Sequence, residues 1–117
     1  MNRVQRGRKA EEQVKAYLLE KGWKFIAQNA YNNKGEIDLI FVDGEYIVFV
    51  EVKSLTLASQ YSIYETLTKK KKKHLWYSIQ QWLADKNLSN RIWRLDFIGI
   101  IFNGETYKIE HLENIAL

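Results

Sequence analysis

Residues 35–54, GEIDLIFVDGEYIVFVEVKS, decide how the rest of the chain is read. GEIDLIFV (35–42) and YIVFVEVKS (46–54) are rich in β-branched and aromatic residues. DGE (43–45) between them holds Asp43-Gly44, a pair suited to a tight turn, so the stretch reads as a β-hairpin. Its second arm is apolar enough for a core, yet it ends in a carboxylate and an ammonium, Glu51 and Lys53. Alternation puts Glu51 and Lys53 on the face of Ile47 and Phe49, and Glu36 and Asp38 on the face of Ile40. An even loop that pairs Val42 with Glu45 sets Asp38 opposite Phe49 and diagonal to Glu51, with Glu36 directly opposite Glu51. An odd loop would send the two sets to opposite faces.

With the even loop, three carboxylates and one lysine converge on one patch of a rigid hairpin. Close carboxylates repel unless a cation lies between them. Their hard oxygens suit Mg2+ or Mn2+. Such an ion lowers the pKa of a water and offsets charge on a phosphodiester transition state, while a neighbouring lysine orients the water or steadies the phosphate. The competing reading of EVK alone is a solvated strand edge; Asp38 across the hairpin is what weighs against it.

Working outward, AEEQVKAYLLEKG (10–22) has helical spacing in Ala10, Val14, Tyr17 and Leu18 and a stop at Gly22. WKFIAQN (23–29) reads as a short strand. A helix is expected over about 63–86, a strand over IWRLDFIGIIF (92–102), and a turn at Asn103-Gly104 into ETYKIEHL (105–112). The order α-β-β-β-α-β-β predicts an α/β domain with a central mixed sheet flanked by helices.

The 117 residues are expected to form a single domain, 1–117, and 46% hydrophobic content supports a buried core. A net charge of +4 tilts the chain toward polyanions such as nucleic acid. Without cysteine there is no disulfide framework or thiolate zinc site. Arg3, Arg6, Arg8 and Lys9 lead into no apolar segment, so no signal peptide is expected. No run is long and apolar enough to span a membrane. A cytoplasmic protein without a membrane partner is the expectation.

GEIDLI followed by VFVEVKS resembles the YraN-type family of small bacterial proteins, which is similar to the PD-(D/E)xK nuclease superfamily and, within it, to archaeal Holliday-junction resolvases. RLDFIGI (94–100) resembles the family's later Arg-Phe-Asp strand, and Gly7 with Glu11 its Gly-x-x-x-Glu helix start. The resemblance implies a restriction-endonuclease-like three-layer domain. It implies that Asp38, Glu51 and Glu11 hold the metal and that Lys53 is the motif lysine, the four together being the catalytic set. It implies a metal-dependent endonuclease acting on DNA, with structured or branched DNA as substrate. The chain departs from the family at Tyr31, where an arginine is common, at Leu55, where a basic residue is common, and at Tyr61, in a glycine place.

Glu11 shares a helix face with Val14 and Leu18 and should point inward, whereas Glu12 should be exposed; the alternative for Glu11 is a first-turn glutamate favoured by the helix dipole. In the run Lys69–Lys73, Lys71 falls in a ladder with Leu67, Leu75 and Ser78 and matches a family lysine. It, Lys70 and Arg8 are the candidate nucleic-acid contacts, against the alternative of a lysine run that simply covers every face. Glu36 is a candidate outer-shell group. Trp76, Trp82 and Trp93 are read as core or interface, His74 and His111 as lone histidines, and Arg94–Asp96 as an ion pair within one strand face. A homodimer would let two sites act on two strands. The rival readings are a non-catalytic nucleic-acid-binding protein that retains the nuclease fold, and an interaction protein that only inherits that fold.

Overall fold

The computed structural model describes residues 2–58 and 62–117. Tyr61 lies outside the described residues. Helix α1 (Arg3–Glu20) leads into strands β1 (Lys24–Asn32), β2 (Gly35–Asp43) and β3 (Tyr46–Thr56). Helices α2 (Ile63–Thr66) and α3 (Lys69–Asp85) follow, then β4 (Trp93–Asn103) and β5 (Thr106–Leu112). The five strands form one sheet in the order β1-β2-β3-β4-β5. All neighbours are antiparallel except β3 and β4, which run parallel because α2 and α3 return the chain to the same end.

Helix α1 covers one face of the sheet, and α3 with the short α2 covers the other. Val14 and Leu18 of α1 pack with Leu39, Phe41, Val48, Val50 and Ile98. Leu75, Ile79, Trp82 and Leu83 of α3 pack with Ile37, Ile40, Ile47, Phe49 and Leu95 on the opposite face. The result is the expected α/β arrangement of helix, mixed sheet and helix in three layers. It explains why β3 is apolar on both faces: it is covered on both. Phe49 is wedged edge-on against Trp82 and Trp93, at ring-centroid distances of 5.5 and 5.8 Å.

Several boundaries differ from the sequence expectation. Helix α1 starts at Arg3, well before Ala10. Asn2 caps it, accepting from the Gln5 N–H at 2.9 Å while Gln5 Oε1 accepts from the Asn2 N–H at 3.0 Å. That reciprocal pair satisfies two of the donors a helix start leaves free. The expected 63–86 helix is two helices. Leu67 leaves helical geometry (φ −97°, ψ 79°), and Thr68 then starts α3 by accepting from the Lys71 N–H at 3.2 Å. Trp76 is not in the core: it is 42% exposed on the outer side of α3.

The hairpin keeps the expected parity with a shifted register. Asp43 pairs with Tyr46, so the loop is Gly44-Glu45, with Gly44 at φ +60°. Arg94 Nη2 donates to Asp43 Oδ2 at 3.1 Å and holds Asp43 within the strand. Ile40, not Asp38, therefore faces Phe49, and Glu36 is not opposite Glu51.

Candidate active site

The β2–β3 ladder runs from Asp43↔Tyr46 to Leu39↔Val50. Beyond it the Val52 N–H donates to a side chain, Asp38 Oδ2, at 2.8 Å. Asp38 thus stands between the strands. Two local features accompany this. Asn29 on β1 has φ +51°, and the β1–β2 register slips between Phe25 and Ala27. Ile37 also joins the α3-side core with Ile40, so the two-residue alternation breaks across Asp38.

Glu51 follows on β3 and is only 6% exposed. Lys71 of α3 brings its Nζ to 3.0 Å from Glu51 Oε2. That contact is an ion pair without hydrogen-bond geometry, and Oε2 has no hydrogen-bond partner. A buried carboxylate oxygen left in this state is costly, and most such atoms are satisfied.

From the other face α1 contributes Glu11, half-buried, while Glu12 points to solvent. Oriented as its acceptors require, the Asn29 amide donates to Glu11 Oε1 at 3.0 Å and to Glu36 Oε1 at 2.9 Å. Asn29 therefore ties the helix glutamate to the β2 glutamate. Nothing in the sequence singled it out; an asparagine tolerant of positive φ was the available signal.

The electrostatics follow from this crowding. Burial, then the hydrogen bond and charge of Glu51, push the Asp38 carboxyl well above the carboxylate range, against the pull of the Val52 N–H and Lys71. Burial, then Asp38 and Glu36, raise Glu11 to about 6. Burial opposes charge on Lys71, but Glu51, Asp38 and Glu36 hold its ammonium above the ordinary lysine value. Four carboxylates, Glu11, Glu36, Asp38 and Glu51, crowd together, and Lys71 is ion-paired among them.

Openings from both sides of the sheet meet at Asp38. A cavity of about 450 Å³ on the α1 side is lined by Arg3, Arg6, Gly7, Glu11, Asp38 and Lys53, among others. A smaller one of about 220 Å³ on the α3 side is lined by Asp38, Glu51, Lys53, Thr66 and Lys71, among others. Lys53 borders both. Arg6 Nε is buried beside the larger opening without a partner. Arg8 and Lys70 are exposed. Tyr31 is exposed beside Glu36, whose charge raises its phenol.

The predicted metal ligands are neighbours rather than a closed set. Among the described residues, the group of three whose ligand atoms all lie within 4.8 Å of one another is Asp96, His111 and Glu113, close enough to hold a metal ion. Asp96 is fully buried and already saturated. Its Oδ1 accepts from Arg94 Nε and the Asn114 N–H, both at 3.0 Å, and its Oδ2 lies 2.8 Å from His111 Nε2. Burial alone would raise its pKa, but His111, Asn114 and Arg94 hold it below the ordinary value. A cation there would have to displace a bonded donor. His111, read from the sequence as a lone histidine, is bound on both sides, since its Nδ1 lies 3.1 Å from Tyr17 Oη.

The model of the uncharacterised protein family UPF0102 matches residues 10–100. A UPF0102 protein of Carboxydothermus hydrogenoformans is 36% identical over 115 residues, covering 98% of each chain. One from Pelotomaculum thermopropionicum is 34% identical over 110 residues, covering 92% of each. One from Vibrio campbellii is 40% identical over 100 residues, covering 84% of this chain and 82% of that one. The chain belongs to the uncharacterised protein family UPF0102, the YraN type.

Proposed function

We propose that this protein is a metal-dependent endonuclease that hydrolyses DNA phosphodiester bonds, with structured or branched DNA as its substrate. The observation that carries the reading is Glu51: a buried carboxylate whose Oε2 meets the Lys71 ammonium at 3.0 Å, beside an Asp38 carboxyl whose pKa is forced upward. The two share one nearby ammonium, that of Lys71, and both border openings through which a substrate could reach them. The donor set is all hard oxygen, which suits Mg2+ or Mn2+. Asp38, Glu51 and Glu11 would hold the ion, with Glu36 behind them. When bound, such an ion supplies Lewis acidity to a phosphodiester and its attacking water.

The chain's own residues do the rest. Lys53, at the border of both openings, donates to a phosphate oxygen or orients the water and offsets developing negative charge. Lys71 neutralises part of the Glu51 charge. Arg6 offers its unpartnered Nε to a phosphate along the α1-side opening. A second reading, a non-catalytic nucleic-acid-binding protein, draws support from the carboxylates' failure to close into a tight trio.

The test is to incubate the protein in Mn2+ with labelled four-way junction, duplex and single-stranded DNA, beside Asp38→Asn and Lys53→Ala. Cleavage by the wild type, lost in both variants, is expected. Uncut DNA bound alike by all three proteins would sink the nuclease reading and leave the binding protein.

A further inference from the structure

We propose that the outer side of α3 is a stacking site for an unpaired nucleic-acid strand, formed by Trp76 and Tyr77 between Lys69, Lys72 and Lys73. The proposal extends the nuclease reading, on which it rests for the identity of the partner as nucleic acid. These residues and Leu117 line a cavity of about 360 Å³. Trp76 is 42% exposed and Tyr77 43%, their rings at 84° with centroids 5.3 Å apart. An amphipathic helix normally turns such side chains toward the core; here Leu75, Ile79, Trp82 and Leu83 fill that face and leave the aromatic pair outside.

The charge around the pair identifies the partner. No aspartate or glutamate side chain is among the residues that line the cavity. Among the described residues, Lys69, Lys72 and Lys73 form no salt bridge, whereas Lys71 of the same run is paired with Glu51. The five lysines occupy the first five positions of α3, whose first turn holds no acidic residue. Like charges three and four residues apart repel, and cations oppose the dipole at a helix start. Among the described residues only Lys71 of the run has a carboxylate partner, and a polyanion would relieve the others. Exposed aromatic faces between cations are the combination that binds single strands, with bases stacked on rings and phosphates on ammonium groups.

The location suits a substrate strand. Lys71 lies across the helix from Lys69, Lys73 and Trp76, and a helix with its side chains is about 10–12 Å wide. A strand crossing the first turns of α3 would therefore reach both the acidic site and the aromatic pair. The geometry favours junctions, flaps or unwound ends over continuous duplex, because stacking on Trp76 requires a base free of its own stack.

The experiment uses Asp38→Asn protein, so that cleavage does not intervene, and a short fluorescent oligothymidylate. Trp76 supplies the exposed indole, while Trp23 and Trp82 are buried, so binding should quench tryptophan emission. Trp76→Ala should weaken binding by about five- to a hundred-fold. Trp76→Phe should keep most of the affinity and lose the quench. Lys72→Ala with Lys73→Ala should lower the salt slope of single-strand binding by about 1.4. Unchanged affinity in Trp76→Ala, or equal binding and quenching by polyglutamate, would overturn the proposal. A protein that binds and quenches in this way but whose wild type cuts nothing in Mn2+ refutes the nuclease reading alone. One that cuts DNA but is indifferent to Trp76→Ala refutes the stacking site alone.

Discussion

Asp38 is held by one main-chain donor, the Val52 N–H, and otherwise faces Glu51. Asparagine in its place keeps an oxygen for Val52 and is neutral without having to take up a proton on folding. Asp38→Asn should therefore raise the metal-free melting temperature by several degrees, as a gain of about 1 kcal/mol does in a domain of this size. The sign of the pH dependence follows from the same crowding. Asp38 and Glu11 have folded pKa values above their unfolded ones, so the folded chain holds protons that the unfolded chain has released. Their contribution is fully present below the ordinary carboxylate range and is lost as pH rises, through about 6 for Glu11 and higher for Asp38. Metal-free wild type should lose melting temperature from about pH 5 to pH 8, and Asp38→Asn should lose less. Mn2+ should stabilise the wild type more at the upper pH, where the ligands are deprotonated, and Asp38→Asn little. Thermal scans at both pH values decide it. A flat, metal-insensitive wild type would mean that these carboxylates ionise independently.

At the scale of elements, the hairpin was legible because its information is local: apolar arms, an Asp-Gly turn, and charges at fixed offsets. Its register was not, because Asp43 is kept in the strand by Arg94, a residue far along the chain. The early start of α1 rests on the Asn2–Gln5 pair, and the break before α3 on the cap at Thr68. Both signals are visible in the sequence but outweighed by helical spacing alone. The placement of α2 depends on one glycine. A Cβ at Gly99 of β4 would overlap Ile63 Cγ2 and come within 3.0 Å of Ile63 Cβ and Cδ1. Ile63 is fully buried against the strand, and the same short helix supplies Thr66 to the α3-side opening. Gly99→Ala should cost about 1–3 kcal/mol by overpacking. Ile63→Ala should cost about 2–5 kcal/mol by leaving a cavity. The double variant should lose clearly less than the sum, because each change relieves the other's defect. Denaturant melts of the three proteins measure the coupling, and strict additivity would mean that α2 does not seat on Gly99.

At the scale of the whole molecule, two helix starts concentrate positive charge. Arg3, Arg6, Arg8 and Lys9 open α1, and Lys69–Lys73 open α3. Arg3 and Arg6 line the opening at Asp38 on one side, and Lys71 touches Glu51 on the other. The acidic cluster thus lies between two cationic helix starts contributed by opposite layers of the fold. On the proposed function, that arrangement would let a chain of net charge +4 carry four crowded carboxylates and still draw a polyanion to them. It also predicts how binding should divide. In an Asp38→Asn background, Arg3→Ala with Arg6→Ala and, separately, Lys70→Ala with Lys72→Ala should each lower the salt slope of duplex binding by about 1.8, two phosphate contacts' worth. The two losses should add, since the pairs sit on different helices. Fluorescence anisotropy over a range of salt concentrations measures both slopes. A slope that falls with the α3 pair and ignores the α1 pair would mean that the duplex lies against one layer only, and that the α1-side opening does not carry DNA.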